Sequence, residues 1–109
     1  MNISIDIQEI DNHVFAKING EIDAYTAPKL REALIPFNDK YGIEMSIDLS
    51  GVTYMDSTGL GVFVGLFKGL RTNEGKLSLN GLTSRIERLF DITGLSKIMD
   101  INTEVEGGV

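Results

Sequence analysis

The sequence predicts an α/β domain built on a mixed, mostly parallel β-sheet with helices packed on it. Two N-terminal segments alternate apolar with polar residues and are joined by a short polar turn, which predicts an antiparallel pair. The later strand-like segments are separated by stretches of helical periodicity, and such connections require parallel crossovers. The order is β-β-α-β-α-β-α-β. No internal repeat, low-complexity tract or linker interrupts it, so residues 1–109 read as a single domain.

In the first strand Ile3, Ile5 and Ile7 alternate with Ser4, Asp6 and Gln8, and Glu9–Asn12 form the turn. Val14, Ala16 and Ile18 make a second strand that Asn19-Gly20 is expected to end. Glu21–Tyr25 reads as a loop, Thr26 as an N-cap, and Pro28 lies in the first helical turn, where its missing N–H costs nothing. Leu30, Ala33, Leu34, Phe37 and Tyr41 follow the stripe of an amphipathic helix. Pro36 conflicts with that stripe, because inside a helix proline forfeits a hydrogen bond at a cost of ~3 kcal/mol. A kink or an early end is expected there, with Gly42 closing the segment.

Met45, Ile47 and Leu49 alternate as a third strand, and Ser50–Asp56 is expected as a loop leading into a second helix from Ser57 to about Arg71. Lys76–Asn80 is a fourth strand. Ser84 and Glu87 form a capping box ahead of Ile86, Leu89 and Phe90, the stripe of a third helix that Gly94 stops. Ile98–Thr103 reads as a last strand and Glu104–Val109 as a frayed tail.

Composition narrows the function. The chain has no cysteine and one histidine, His13, which removes disulfides, thiol catalysis and cysteine- or histidine-rich metal sites. Sixteen acidic against ten basic residues give a formal charge of −6, a balance that a nucleic-acid duplex repels. The N-terminus lacks the basic start and apolar core of a signal peptide, and the apolar run from Leu60 breaks at Lys68, far short of the ~20 residues that span a bilayer. A cytoplasmic domain without nucleic-acid or membrane partners is the expectation.

The most informative stretch is Asp56-Ser57-Thr58-Gly59-Leu60-Gly61 and the helix behind it. At ~100° per residue, Leu60, Phe63, Val64, Phe67 and Leu70 cluster as a core face, while Gly61, Gly65 and Gly69 fall nearly opposite, flanked by Val62 and Leu66. Each helical glycine costs ~1 kcal/mol against alanine, so three on one face call for a reason. A smooth face bordered by exposed Val62 and Leu66 suits close approach by another protein. The alternative is packing against a neighbouring helix of the same domain.

Ser57 stands where strand gives way to helix. It suits an N-cap, and it also suits a phosphoacceptor, since a hydroxyl in the first turn points out of the fold. A catalytic nucleophile would need a base and an orienting third group, and His13 opens a distant strand. Gly59-x-Gly61 lacks the third glycine and the Gly-Lys-Ser/Thr of a phosphate loop. Glu21 and Asp23 read as solvated loop charges. No catalytic set assembles, and no enzyme activity or cofactor is expected.

Three blocks, Gly20–Pro28, Tyr54–Phe63 and Arg88–Leu95, resemble the STAS family, named for sulfate transporters and anti-sigma factor antagonists. Within it the chain is most similar to the stand-alone antagonists acting on the general-stress sigma factor's kinase in Gram-positive bacteria. That resemblance implies a partner switch. The unphosphorylated protein would bind an anti-sigma factor serine kinase and free the sigma factor; phosphorylation on the serine of the Asp-Ser motif, Ser57, would end binding; a metal-dependent serine phosphatase would reverse it. Thr58 stays open as a second acceptor. Asp23, Tyr25 and Thr26 match the family's loop near the acceptor and are candidate contacts, with Asp56 holding the acceptor loop. Gly61, Val62, Gly65 and Leu66 are contacts proposed from the wheel. The competing readings are a nucleotide-binding or a scaffold domain of the same family.

Overall fold

The computed structural model describes residues 2–102, so Thr103 of the expected last strand and the expected frayed tail lie outside the described residues. Strand β1 (Ile3–Ile10) pairs antiparallel with β2 (His13–Ile22) across a two-residue turn in which Asp11 takes φ 55°. Strands β3 (Glu44–Met55), β4 (Lys76–Asn80) and β5 (Asp100–Asn102) add in parallel, giving the sheet order β1-β2-β3-β4-β5. The predicted element order therefore holds.

Each parallel strand is laid beside the last in one direction. Right-handed crossovers then bring all three helices to the same side. They are α1 (Ala27–Leu34), α2 (Ser57–Thr72) and α3 (Ser84–Ile92). The core lies between them and Ala16, Ile18, Ile47, Leu49 and Leu79 of the sheet, with the Phe63 and Phe90 rings tilted at 57° and 6.3 Å apart between centroids. The alternate residues of the same strands, Asp6, Phe15, Lys17, Ser46 and Ser78, line the opposite face of the sheet.

Two strands outrun the expectation. Asn19-Gly20 does not end β2, and Ser50–Met55 is strand rather than loop; Gly51, Val52, Tyr54 and Met55 pair with Asn19, Gly20, Glu21 and Ile22. Register shifts between Lys17 and Asn19 and between Gly20 and Glu21 break the two-residue period, which hid both extensions from the alternation test. At Gly20, φ is 110° and a Cβ would run into the Asn2 carbonyl, so glycine serves close approach here instead of termination.

Pro36 acts as the sequence anticipates. Helix α1 stops at Leu34, and a 3₁₀ turn over Ile35–Asp39 accommodates the proline at its start. Tyr41, which the stripe placed in the core, is 73% exposed because the helix ends before reaching it. In α3 the cap is Thr83 rather than Ser84: its Oγ1 accepts from the Ile86 N–H at 3.4 Å. Gly94 takes φ 79°, the left-handed stop that the sequence assigns it.

The face of α2 needs the largest correction. Val62 and Leu66 are fully buried, while Val64 and Phe67 are only partly so. The buried arc is turned by roughly 60° from the expected one, at about 100° per residue. The glycines divide accordingly. Gly69 abuts the Asn38 side chain and Gly65 faces Ile35 on the 3₁₀ turn, so both serve packing within the domain. Asn38 Nδ2 also reaches the Gly65 carbonyl at 3.4 Å. Gly61 alone of the three faces open space. Thermal unfolding separates these roles: Gly61→Ala is expected to raise stability by up to about 1 kcal/mol, whereas Gly69→Ala, which displaces Asn38, is expected to lower it by about 1 kcal/mol.

Candidate functional site

The C-terminal ends of β2 and β3 lie side by side, with Ile22 opposite Met55, and both chains turn there into helices. The Asp56 N–H donates to the Ile22 carbonyl at 3.3 Å, tying the start of α2 to the end of β2. Asp56 then caps the helix. Its Oδ1 accepts from the N–H groups of Thr58 at 3.0 Å and Gly59 at 3.3 Å. Gly59 is required by this arrangement, since a Cβ there would approach Ile22 Cγ2 to 2.6 Å and Met55 Cγ to 2.9 Å.

The cap role assigned to Ser57 thus belongs to Asp56. Ser57 becomes the first helical residue, exposed, and its hydroxyl makes no hydrogen bond among the described residues. Thr58 is exposed beside it. The helix N-terminus offers a favourable local field to any negative group attached at this place.

Facing this turn is the loop after β2. Asp23 Oδ1 accepts from the N–H groups of Tyr25 at 2.9 Å and Thr26 at 3.0 Å. Thr26 Oγ1 accepts from the Asp23 N–H at 2.9 Å and donates to the Glu21 carbonyl at 2.7 Å. Burial works to raise the Asp23 carboxyl, but the Thr26 and Tyr25 amides and the Thr26 hydroxyl outweigh it and hold the group below its ordinary value. Its Oδ2 is buried without a partner among the described residues.

These bonds separate support from presentation. Asp23 and Thr26, expected as partner contacts, are buried and shape the loop from beneath. Tyr25 is the residue the loop holds out, at 87% exposure. Val62 and Leu66, expected on an exposed flank of the helix, are core residues instead, and Gly65 faces Ile35. One outward stripe of α2 runs through Ser57, Gly61, the partly buried Val64 and Lys68, spaced by four, three and four residues. The wheel assigns Val64 to the core face, which hides its place on this stripe beside Lys68. Tyr54, next to last in β3, is 40% exposed at the same edge.

The rim is acidic, with Glu21, Asp23 and Asp56 near its centre. His13 stands at the opposite end of β2, 2.7 Å from Glu44, and so does not serve Ser57 as a base. No group of side chains among the described residues is arranged to hold a metal ion, and no described helix is long and apolar enough to cross a membrane. The arrangement presents an unengaged hydroxyl on a rigid turn, flanked by one exposed aromatic and one bare glycine.

Comparison with known proteins places this geometry. A profile of the STAS domain matches residues 4–107. The chain is 58% identical over 108 residues to the anti-sigma-B factor antagonist of Listeria monocytogenes, covering 98% of this chain and 94% of that one. It is 51% identical over 109 residues to the anti-sigma-B factor antagonist of Bacillus subtilis, covering 100% and 99%. Among solved structures, an anti-sigma factor antagonist from Mycobacterium paratuberculosis superposes with a TM-score of 0.85 at 25% identity, over 96% of this chain and 89% of that one. With a mixed sheet, one-sided helices and these relatives, the chain belongs to the STAS-domain family.

Proposed function

We propose that this protein is an antagonist of an anti-sigma factor, acting by reversible binding and not as an enzyme. The anti-sigma factor is a serine kinase that phosphorylates Ser57, and a metal-dependent serine phosphatase restores the hydroxyl. All three act in the cytoplasm. The observation that carries this reading is the Asp56 cap, which takes up the first free N–H groups of α2 and leaves the adjacent Ser57 hydroxyl unengaged and exposed. The similarity to named anti-sigma-B factor antagonists at 51% and 58% identity supports an anti-sigma factor as the partner.

The binding surface is the outward stripe of α2, Ser57, Gly61 and Val64, together with Thr58 and Tyr25. Gly61 lets a partner's backbone approach the helix closely, because nothing occupies the space a Cβ would take. Phosphorylation adds ~1.5–2 negative charges at Ser57. Against one partner carboxylate ~6 Å away at an effective dielectric of ~20, each charge costs ~2.8 kcal/mol before screening. Half of that sum still exceeds the ~1.4 kcal/mol of a tenfold affinity change. Binding is therefore lost without refolding the domain.

Intact mass after incubation with the organism's anti-sigma kinase and ATP tests the acceptor. One added phosphate is expected on the wild type and none on Ser57→Ala, with the complex lost from a sizing column only after phosphorylation. Full phosphorylation of Ser57→Ala would move the site to Thr58. Gly61→Trp, which fills the open face without touching the core, is expected to weaken kinase binding by at least about tenfold while leaving the far-ultraviolet spectrum unchanged. The loop has its own signature in acid. Asp23 is held below its ordinary value of 3.8, so its charge stabilises the fold above that pH and the contribution disappears as pH falls through the lowered value. Asp23→Asn is therefore expected to be less stable than wild type in urea at neutral pH, with the gap narrowing below about pH 4.

A further inference from the structure

Strand β1 is the last strand on its side of the sheet among the described residues, so one flank of its backbone faces no other strand. Which groups point outward follows from the pairing. The Glu21 N–H donates to the Asn2 carbonyl at 3.0 Å, and the register runs on without a shift from Ile3 opposite Gly20 to Ile10 opposite His13. Even-numbered residues of β1 therefore turn both backbone groups toward β2, and Ile3, Ile5, Ile7 and Glu9 turn theirs out. The Lys29 ammonium agrees with this alternation by donating to the outward Ile3 carbonyl at 3.2 Å.

Beyond Ile3 the edge is open. Strand β1 holds no proline, lysine or bulge, the usual devices that keep an edge from pairing. Lys40 approaches it only through the Glu9 side chain, at 3.5 Å. Ile5 and Ile7 are partly buried, so an apolar strip runs beside the outward N–H and C=O groups. The sequence of this edge suits its own copy. Antiparallel pairing about a two-fold axis at Ile7 sets Ile7 against Ile7, Ile5 against Glu9 and Asp6 against Gln8, so no acid opposes an acid. It also brings the exposed Asp11 of the second copy level with Ile3, where the Lys29 ammonium lies. An axis at Asp6 would oppose two aspartates, and one at Ile5 would need the Ile3 carbonyl that Lys29 holds.

We propose that β1 is a self-association edge, through which two copies join antiparallel about Ile7 into one continuous sheet. The ladder from Ile5 to Glu9 supplies about six backbone hydrogen bonds. A single strand pair buries less than the roughly 1,200–2,000 Å² of a stable complex, so the dimer is weak and reversible. Ser57 follows β3, two strands in from the joined edge, so association leaves it exposed and does not rest on the switch.

Sedimentation equilibrium between about 10 µM and 1 mM is the test, with the weight-average mass expected to rise from that of one chain toward that of two. Ile7→Lys sets two lysines against each other at the axis and is expected to weaken association at least about tenfold, its fold verified by a well-dispersed amide spectrum. A mixed sample of labelled and unlabelled protein reads the register without a substitution. The Asp6 Hα should show an intermolecular contact to the Gln8 Hα of the second copy, because these residues form a close pair without hydrogen bonds. The proposal is overturned by a one-chain mass at the highest concentration, by undiminished association of folded Ile7→Lys, or by a dimer lacking the Asp6–Gln8 contact.

Discussion

Everything at the Ser57 rim depends on the parallel pairing of β2 and β3 being carried to their last residues. Ile22 and Met55 are neighbours at its end, and the Asp56 amide donates to Ile22 as though to continue the ladder. That bond sets where α2 begins. It also sets how far Tyr25 stands from Ser57, because both depart from the same two strand ends. A shorter pairing, ending where the alternation of apolar residues ends, would leave the seven residues Ser50–Asp56 as unsupported chain ahead of α2. The pairing continues only because Val52 and Met55 bury their side chains and Gly20 and Gly51 permit close contact with Asn2 and Asn19.

Two carboxylates then perform parallel tasks on the adjoining turns. Asp56 accepts two N–H groups at the mouth of α2, and Asp23 accepts two in the loop that leads to α1. In each case a short acidic side chain replaces the backbone acceptor that a turn lacks. The consequence is a rim whose polar groups are largely satisfied from within. Ser57 stands out against it as a hydroxyl with nothing to do for the fold, which separates chemistry at this residue from stability of the domain.

The sequence made the element order, the hairpin, the break at Pro36 and the stop at Gly94 legible, because each rests on local periodicity or a single residue's backbone limits. It also made the Ser57 turn legible as a motif. It did not reveal the orientation of α2. That helix is apolar through most of its circumference, since Val62, Val64, Leu66 and Phe67 all lie between the glycines, so a wheel finds two plausible core faces. Only the seating of Gly69 on Asn38 and of Gly65 on Ile35 selects between them, and Asn38 sits in a 3₁₀ turn that no helical stripe predicts. The strand extensions were hidden for a related reason: register shifts scramble the two-residue alternation while leaving the pairing intact.

The corrected orientation alters what a switch at Ser57 requires. With Val62 and Leu66 exposed, binding would have depended on an apolar patch, and a single phosphate would have had to offset the burial of two aliphatic side chains, ~1.5–3 kcal/mol each. With both inside the core, the outward stripe is Ser57, Gly61, Val64 and Lys68, which offers shape and little hydrophobic area. A surface of that kind binds through close backbone approach and complementary charge, and both act at short range. In the proposed switch a dianionic group at its first position opposes binding where the contact is tightest, while the helix N-terminus beneath it accepts the same charge without strain. On that proposal the fold tolerates the modification that the interface does not.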